Sequence, residues 1–210
     1  MQVLEEIKNA VINGNAPKAK EWSVKAIAEG FSASQILEEG LIGGMNVIGP
    51  RFKNNEIFIP EVLIAARAMH AGMDVIKPLI AGSGIQKKGT ILIGTVNGDM
   101  HDIGKNLVIM MLEGAGYKVI DLGIDVSTEK FIEAIKEHKP QIVGLSALLT
   151  TTMGQMKNSV KILLELENRP KIIIGGAPLT QEFADEIGAD AYAADAASAV
   201  DIVNVLISTL

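Results

Sequence analysis

The chain of 210 residues has no cysteine. That absence excludes disulfides, thiolate zinc centres and thiol nucleophiles together, and it fits a reducing compartment. Aromatic residues are nearly as scarce, 4% against 48% hydrophobic, so the core has to be aliphatic. Basic charge is also short: 19 Lys and Arg face 25 Asp and Glu, for a net charge of −6. No basic run exceeds Lys87-Lys88, so the electrostatic footprint of a DNA- or RNA-binding protein is missing. No apolar run approaches the roughly 18 residues a membrane helix needs. Residues 1–20 are acidic and amphipathic, without the apolar stretch of a secretory signal. The expectation is a soluble, cytoplasmic protein of one large domain or two small ones.

What is present divides into two grammars. Up to residue 82 the pattern is helical. Val3, Leu4, Ile7, Val11 and Ile12 form one apolar stripe, closed by Asn13-Gly14-Asn15. Pro17 opens a second helix carrying Trp22, Ala26 and Ile27, and Gly30 ends it. Ser32 to Gln35 reads as a capping box before a third helix running to about Phe52. Pro60 begins a fourth, with Val62, Leu63, Ala66, Met69, Met73 and Ile76 on its inner side. Four short-looped helices predict a small bundle, residues 1–82. His70 and His138 fall on predicted helices and read as structural or solvated, and Met45, Met69 and Met73 as core filler.

Residues 83–89, SGIQKKG, read as a linker. From residue 90 to 210, strands and helices alternate. TILIGTV, YKVIDLG, QIVGLSA and KIIIGG are short runs rich in Ile and Val, and DAYAAD is a weaker fifth. Runs this continuous belong to a parallel sheet covered on both faces. The expected fold is α/β: a four-helix bundle cap, then a doubly wound, flavodoxin-like sheet of five parallel strands in the order 2-1-3-4-5. Such sheets bind ligands beyond the carboxyl ends of the strands, at the switch point between strands one and three.

The unusual residues lie there. The loop after strand one is NGDMHDIGKN, and the loop after strand three begins SALLTTT. Asp99 and His101, two apart in an extended loop, can point to the same side. A carboxylate that accepts the proton of one imidazole nitrogen fixes the tautomer and makes the other nitrogen a better metal ligand. A hydroxyl from Ser146, Thr150 or Thr152 is placed to orient that carboxylate, and Asp102 to cap the following helix. One histidine is too few ligands for a tetrahedral zinc site, but it suffices as an axial ligand to a metal already held by a macrocycle. Gly94, Gly98, Gly104, Gly144, Gly175 and Gly176 suggest a slot beside the strands for a large flat or extended group.

Alone, Asp-x-His is a weak signal. In company it is specific. GDMHDIGKN resembles the Asp-x-His-x-x-Gly signature of base-off, His-on cobalamin-binding domains. GLSALLT, with Ser146 and Leu148, resembles the family's Ser-x-Leu, and IGGAP its terminal Gly-Gly. GGMNVIGPRFKNNEIFIPEVLIAARAM is similar to the helical cap of cobalamin-dependent methyltransferases. The combined pattern covers nearly the entire chain. It resembles the free-standing corrinoid proteins of methanol, methylamine and aromatic methyl-ether systems, and the equivalent modules of methionine synthase.

The resemblance implies a cobalamin cofactor whose cobalt takes His101 as lower axial ligand, with Asp99 as its hydrogen-bonded partner. Thr152 stands where the family often has a serine completing the relay. Ser146 and Thr150 would contact the cofactor's nucleotide tail, with Gly104, Gly175 and Gly176 giving it room. Phe52 and Ile59 would lie over the reactive face of the corrin, with residues 83–89 as hinge. Asn97 and Met100 replace a frequent lysine and valine. The implied role is that of a methyl carrier between a substrate-specific methyltransferase and a methylcorrinoid:pterin methyltransferase, with a pterin such as tetrahydrofolate, or a thiol, as final acceptor. A reductive activase would restore oxidised cobalt. Substrate chemistry would belong to the separate methyltransferase. A mutase subunit is the weaker alternative, since its catalytic barrel is missing. A cobalamin-binding regulator or storage protein is another, although no DNA-binding face is visible.

Overall fold

The computed structural model describes residues 2–80 and 88–210. They form two compact units: residues 2–80 with Glu113–Gly116, and Lys88–Leu112 with Tyr117–Leu210. Most of the expected linker, residues 83–87, lies outside the described residues.

The first unit begins with α1 (Gln2–Ile12) and α2 (Ala16–Ala28), the latter capped by the Asn15 side chain, which accepts from Lys18 N at 3.1 Å. Ser32 and Gln35 make the expected capping box reciprocally: Ser32 N donates to Gln35 Oε1 at 3.0 Å and Gln35 N to Ser32 Oγ at 3.2 Å. The helix they open is not uniform. A short α3 (Ala33–Gln35) widens into a π-helical segment, Ile36–Ile42, before α4 (Gly43–Lys53). Buried Ile36 and Leu41 are five apart, one more than an α-helical stripe accommodates, and the wide turn absorbs the extra residue. Here α1 lies directly on glycine backbone: a Cβ at Gly40 would stand 2.9 Å from Ile7 Cγ2, and one at Gly44 2.6 Å from Val11 Cβ.

The bundle closes with α5 (Ile59–Ile80), which buries Val62, Ala66, Met69 and Ile76 as its spacing predicts. Leu63 departs from that expectation and is 40% exposed. Met45 and Met69 are core residues, as expected, and Met73 is half-buried.

In the second unit, β1 (Thr90–Thr95), β2 (Lys118–Asp121), β3 (Ile142–Ser146), β4 (Lys171–Gly175) and β5 (Ala191–Ala193) form one parallel sheet. Its order is β2-β1-β3-β4-β5, as the sequence predicts. Connections run through α6 (Ile103–Gly114), α7 (Thr128–His138), α8 (Met153–Leu164) and α9 (Gln181–Ile187), with α10 (Ala196–Ser208) last. Leu92, Val143, Leu145, Ile172 and Ile174 pack with Phe131, Ala134, Val160, Leu163 and Ala184 from α7, α8 and α9. Side chains alternate along a strand, so Ile93, Thr95, Gly144, Ser146, Ile173 and Gly175 belong to the other face.

That alternation separates the glycines expected to line a slot. Gly94 does not belong to it: it faces the α7 layer, where a Cβ would stand 2.8 Å from Phe131 Cζ. Its missing side chain makes room for a core ring. Gly144 and Gly175 remain with Ser146 on the opposite face, all three only partly buried. None of the described helices is long and apolar enough to cross a membrane.

Candidate functional site

At the carboxyl ends of β1 and β3 the chain turns abruptly. Gly98 adopts φ +80, which a side chain would strain, and the turn directs Asp99 inward. Asp99 is 0% exposed. Its Oδ1 accepts from His101 Nδ1 at 2.8 Å and from the His101 backbone N–H at 3.1 Å. Oδ2 accepts from Leu148 N at 2.7 Å, Leu149 N at 3.3 Å and Thr152 Oγ1 at 2.8 Å. Thr152 Oγ1 also lies 2.9 Å from the Leu149 carbonyl. Its single proton serves one acceptor, and the carboxylate is the stronger. Burial alone pushes a carboxyl pKa up. The Leu148 N–H, the His101 ring, the Thr152 hydroxyl and the His101 N–H overrule it and hold Asp99 well below the usual carboxylate range.

An ionised Asp99 demands that Nδ1 of His101 carry the proton. In the neutral imidazole Nε2 then presents a lone pair, and no described residue donates to it. The ring is 49% exposed, while its backbone is pinned behind it by buried Thr95, whose hydroxyl donates to the His101 carbonyl at 2.9 Å. Among the described residues no three His, Asp or Glu side chains gather to hold a metal ion. Any metal at Nε2 must therefore bring most of its ligands with it. The side chains around it suit a flat apolar group: Met100, Ile103, Leu148 and Leu149 are all exposed, a concentration that marks a binding surface.

Of the three hydroxyls expected to orient Asp99, Thr152 does so. Thr150 is exposed on the turn Thr150–Thr152, and Ser146 ends β3, opposite Thr95 and Gly175 in the register. Leu148 contributes its backbone N–H. Asp102 corrects the expectation of a side-chain cap. Its backbone carbonyl opens α6 by accepting from Asn106 N at 2.7 Å, but its carboxylate meets the Asn106 side-chain amide at 3.2 Å. A Cβ at Gly104 would meet nothing within 4 Å. Gly176, with φ +145, is bare for a different reason: a Cβ would stand 1.8 Å from the Ala147 carbonyl oxygen, so glycine is required by the backbone itself.

Sequence reasoning missed Leu149, Thr95 and Asp125. Asp125 Oδ1 accepts from Gly98 N at 2.7 Å and from Asn97 Nδ2 at 2.9 Å, and Asp125 N donates to the Asp99 carbonyl at 3.0 Å. No local motif marks it, because its partners are more than twenty residues away.

Replacing Thr152 by valine keeps the shape and removes the hydroxyl. We expect a loss of about 1.5–3 kcal/mol in urea unfolding, the usual worth of a hydrogen bond to a charged group, and recovery of most of it in Thr152→Ser. An unchanged midpoint for the valine variant would remove Thr152 from the network.

Known proteins resemble this chain along almost its whole length. Two families, both described as B12 binding domain, match residues 89–203 and residues 3–77. A corrinoid protein of Desulfitobacterium hafniense is 43% identical over 209 residues, 97% of each chain. Trimethylamine corrinoid protein 1 of Methanosarcina mazei is 42% identical over 97% of this chain and 94% of its own. The crystal structure of a methanol:cobalamin methyltransferase complex from Methanosarcina barkeri superposes with a TM-score of 0.92 at 32% identity, covering 100% of this chain and 81% of that one. A cobalamin-binding protein from Desulfitobacterium hafniense gives 0.78 at 34% identity, with 97% and 98% covered. With both B12-binding signatures present, and relatives this similar along almost their full length, the chain belongs to the family of B12-binding corrinoid proteins.

Proposed function

We propose that this protein carries methyl groups on a corrinoid held base-off, with His101 Nε2 as the lower axial ligand of cobalt. One observation carries the reading: the buried, ionised Asp99 fixes the proton on Nδ1 and leaves Nε2 bare at the carboxyl end of the sheet. The donor set fits, since a single imidazole suits a metal that a macrocycle already holds. The surroundings fit as well: an apolar rim for the ring, open space at Gly104, and the small column Gly144, Ser146 and Gly175 for an extended tail.

When bound, the corrinoid supplies a cobalt centre that accepts and releases methyl groups, and the protein binds, orients and tunes it. His101 supplies the lower ligand. Asp99 raises the basicity of that ligand by holding its proton, and Thr152 with the Leu148 and Leu149 N–H groups keeps Asp99 in place. Ser146 and Thr150, whose hydroxyls meet no partner among the described residues, would offer them to the tail. By the family resemblance, Phe52, half-buried, and Ile59, exposed, would shield the methyl group that a bound corrinoid carries. Relatives named for methylamines and a neighbour solved with a methanol methyltransferase support an exchange with a substrate-specific methyltransferase. A second, pterin- or thiol-directed methyltransferase would take the group onward, and a reductive activase would maintain the cofactor.

Purified protein reconstituted with hydroxocobalamin should retain a red chromophore through desalting. A colourless eluate would overturn the reading. Phe52→Ala should speed photolysis of the protein loaded with methylcobalamin several-fold, and an unchanged rate would remove Phe52 from the shield.

A further inference from the structure

Lys105 is the one lysine buried among the described residues, its side chain only 1% exposed. It sits in the first turn of α6, at the positive end of the helix dipole, where a cation is disfavoured. Its ammonium donates to Asp121 Oδ1 at 2.7 Å and to Asn106 Oδ1 at 2.8 Å. Asp121 Oδ1 also accepts from Gly123 N at 2.8 Å, and the Gly123 carbonyl accepts from Thr95 N at 3.0 Å. Thr95 is the residue whose hydroxyl holds the His101 carbonyl.

The same segment reaches the other side of the loop. Asp125 adopts φ +51, uncommon outside glycine though tolerated by Asp. From there it makes its three hydrogen bonds to Asn97, Gly98 and Asp99. The turn after β2 thus grips the His101 loop twice, through Asp121 on the α6 side and through Asp125 on the strand side. The backbone bridge Val96↔Val126 lies beside the second grip.

We propose that residues 121–126 form a clamp that positions His101 for cobalt, with Asp125 and the Lys105–Asp121 pair as positioning residues acting through the histidine. The proposal rests on the axial-ligand reading above and deepens it. A free loop must lose its conformational freedom when the imidazole engages the metal. A loop already fixed by these bonds spends none of the binding free energy on that ordering.

The test uses the full chain loaded with hydroxocobalamin. In Asp125→Ala, Kd by equilibrium dialysis should rise about 10-fold, the low end of what partners behind a metal ligand are worth. The fraction of reduced cobalt(II) protein showing nitrogen coupling from labelled histidine should fall at saturating cofactor. In a His101→Ala background the same substitution should leave Kd unchanged, because its effect passes through the histidine. Lys105→Met paired with Asp121→Asn should behave likewise. If that pair fails to fold, Asp125→Ala decides the matter alone.

Should wild-type protein show the histidine coupling while Asp125→Ala changes neither readout, the clamp is overturned and the axial ligand stands. Equal weakening with and without His101 also overturns the clamp, since it would make Asp125 merely structural. Absence of coupling in the wild type overturns the axial-ligand reading, and the clamp with it.

Discussion

His101→Ala is expected to lose hydroxocobalamin during desalting that the parent protein survives. Partners that only orient a metal ligand are worth about 10–100-fold in affinity, so removing the ligand itself should cost at least the upper end of that range. The fold should tolerate the change, because the ring is half exposed and its one hydrogen-bond partner keeps four other donors. The cofactor that remains under saturating conditions should have a changed visible spectrum. Equal retention and an identical spectrum in the two proteins would remove His101 from the cobalt.

Asp99→Asn should act on both cofactor and fold. An amide at this position presents an N–H₂ to a site lined entirely by donors: two backbone N–H groups of the Ser146–Thr152 loop, the Thr152 hydroxyl and the His101 ring and backbone. At least one donor is left facing another, so stability should fall by about 1–3 kcal/mol. Cofactor affinity should drop about 10–100-fold, because the imidazole loses the anion that holds its proton on Nδ1.

The same carboxylate predicts a pH dependence. Its pKa in the folded protein lies below that of an unfolded aspartate, about 3.9. The stabilisation it provides is therefore complete above the unfolded value and is lost as pH falls towards the folded one. Urea midpoints of the apoprotein should decline below roughly pH 4. Asp190, also depressed by Arg169, the Ile172 N–H and Lys171 despite its burial, contributes to that decline in both proteins. The gap between wild type and Asp99→Asn should narrow as the pH drops. A constant gap would mean that Asp99 is not held ionised by its surroundings.

How far these residues were legible in the sequence depended on how local their reasons are. Strand positions and order followed from short Ile- and Val-rich runs separated by helical stretches, and the capping box at Ser32 from a four-residue pattern. Asp99 and His101 stood out because their interaction spans two positions in one loop. Leu63, 40% exposed, was misplaced because apolar character alone does not tell which side of a helix is covered. The π-helical segment Ile36–Ile42 escaped because its extra residue hides within an ordinary apolar pattern. Gly94, Gly144 and Gly176 look alike in a sequence. Yet one makes room for Phe131, one makes room for Ile93 on the far face of the sheet, and one lets two backbone segments touch. Asp125 and Thr95 act on the loop through contacts that only the folded sheet creates.

Nuclear spin reports a bond between His101 Nε2 and cobalt directly. Protein grown with nitrogen-15 histidine, loaded with hydroxocobalamin and reduced to the cobalt(II) state, should be examined by electron paramagnetic resonance. Natural-abundance protein should show each resolved cobalt line split into a triplet by an axial nitrogen. In the labelled protein that triplet should become a doublet, and it should do so only while His101 is present. A triplet that persists after labelling would place the cofactor's own base on the metal and contradict the account.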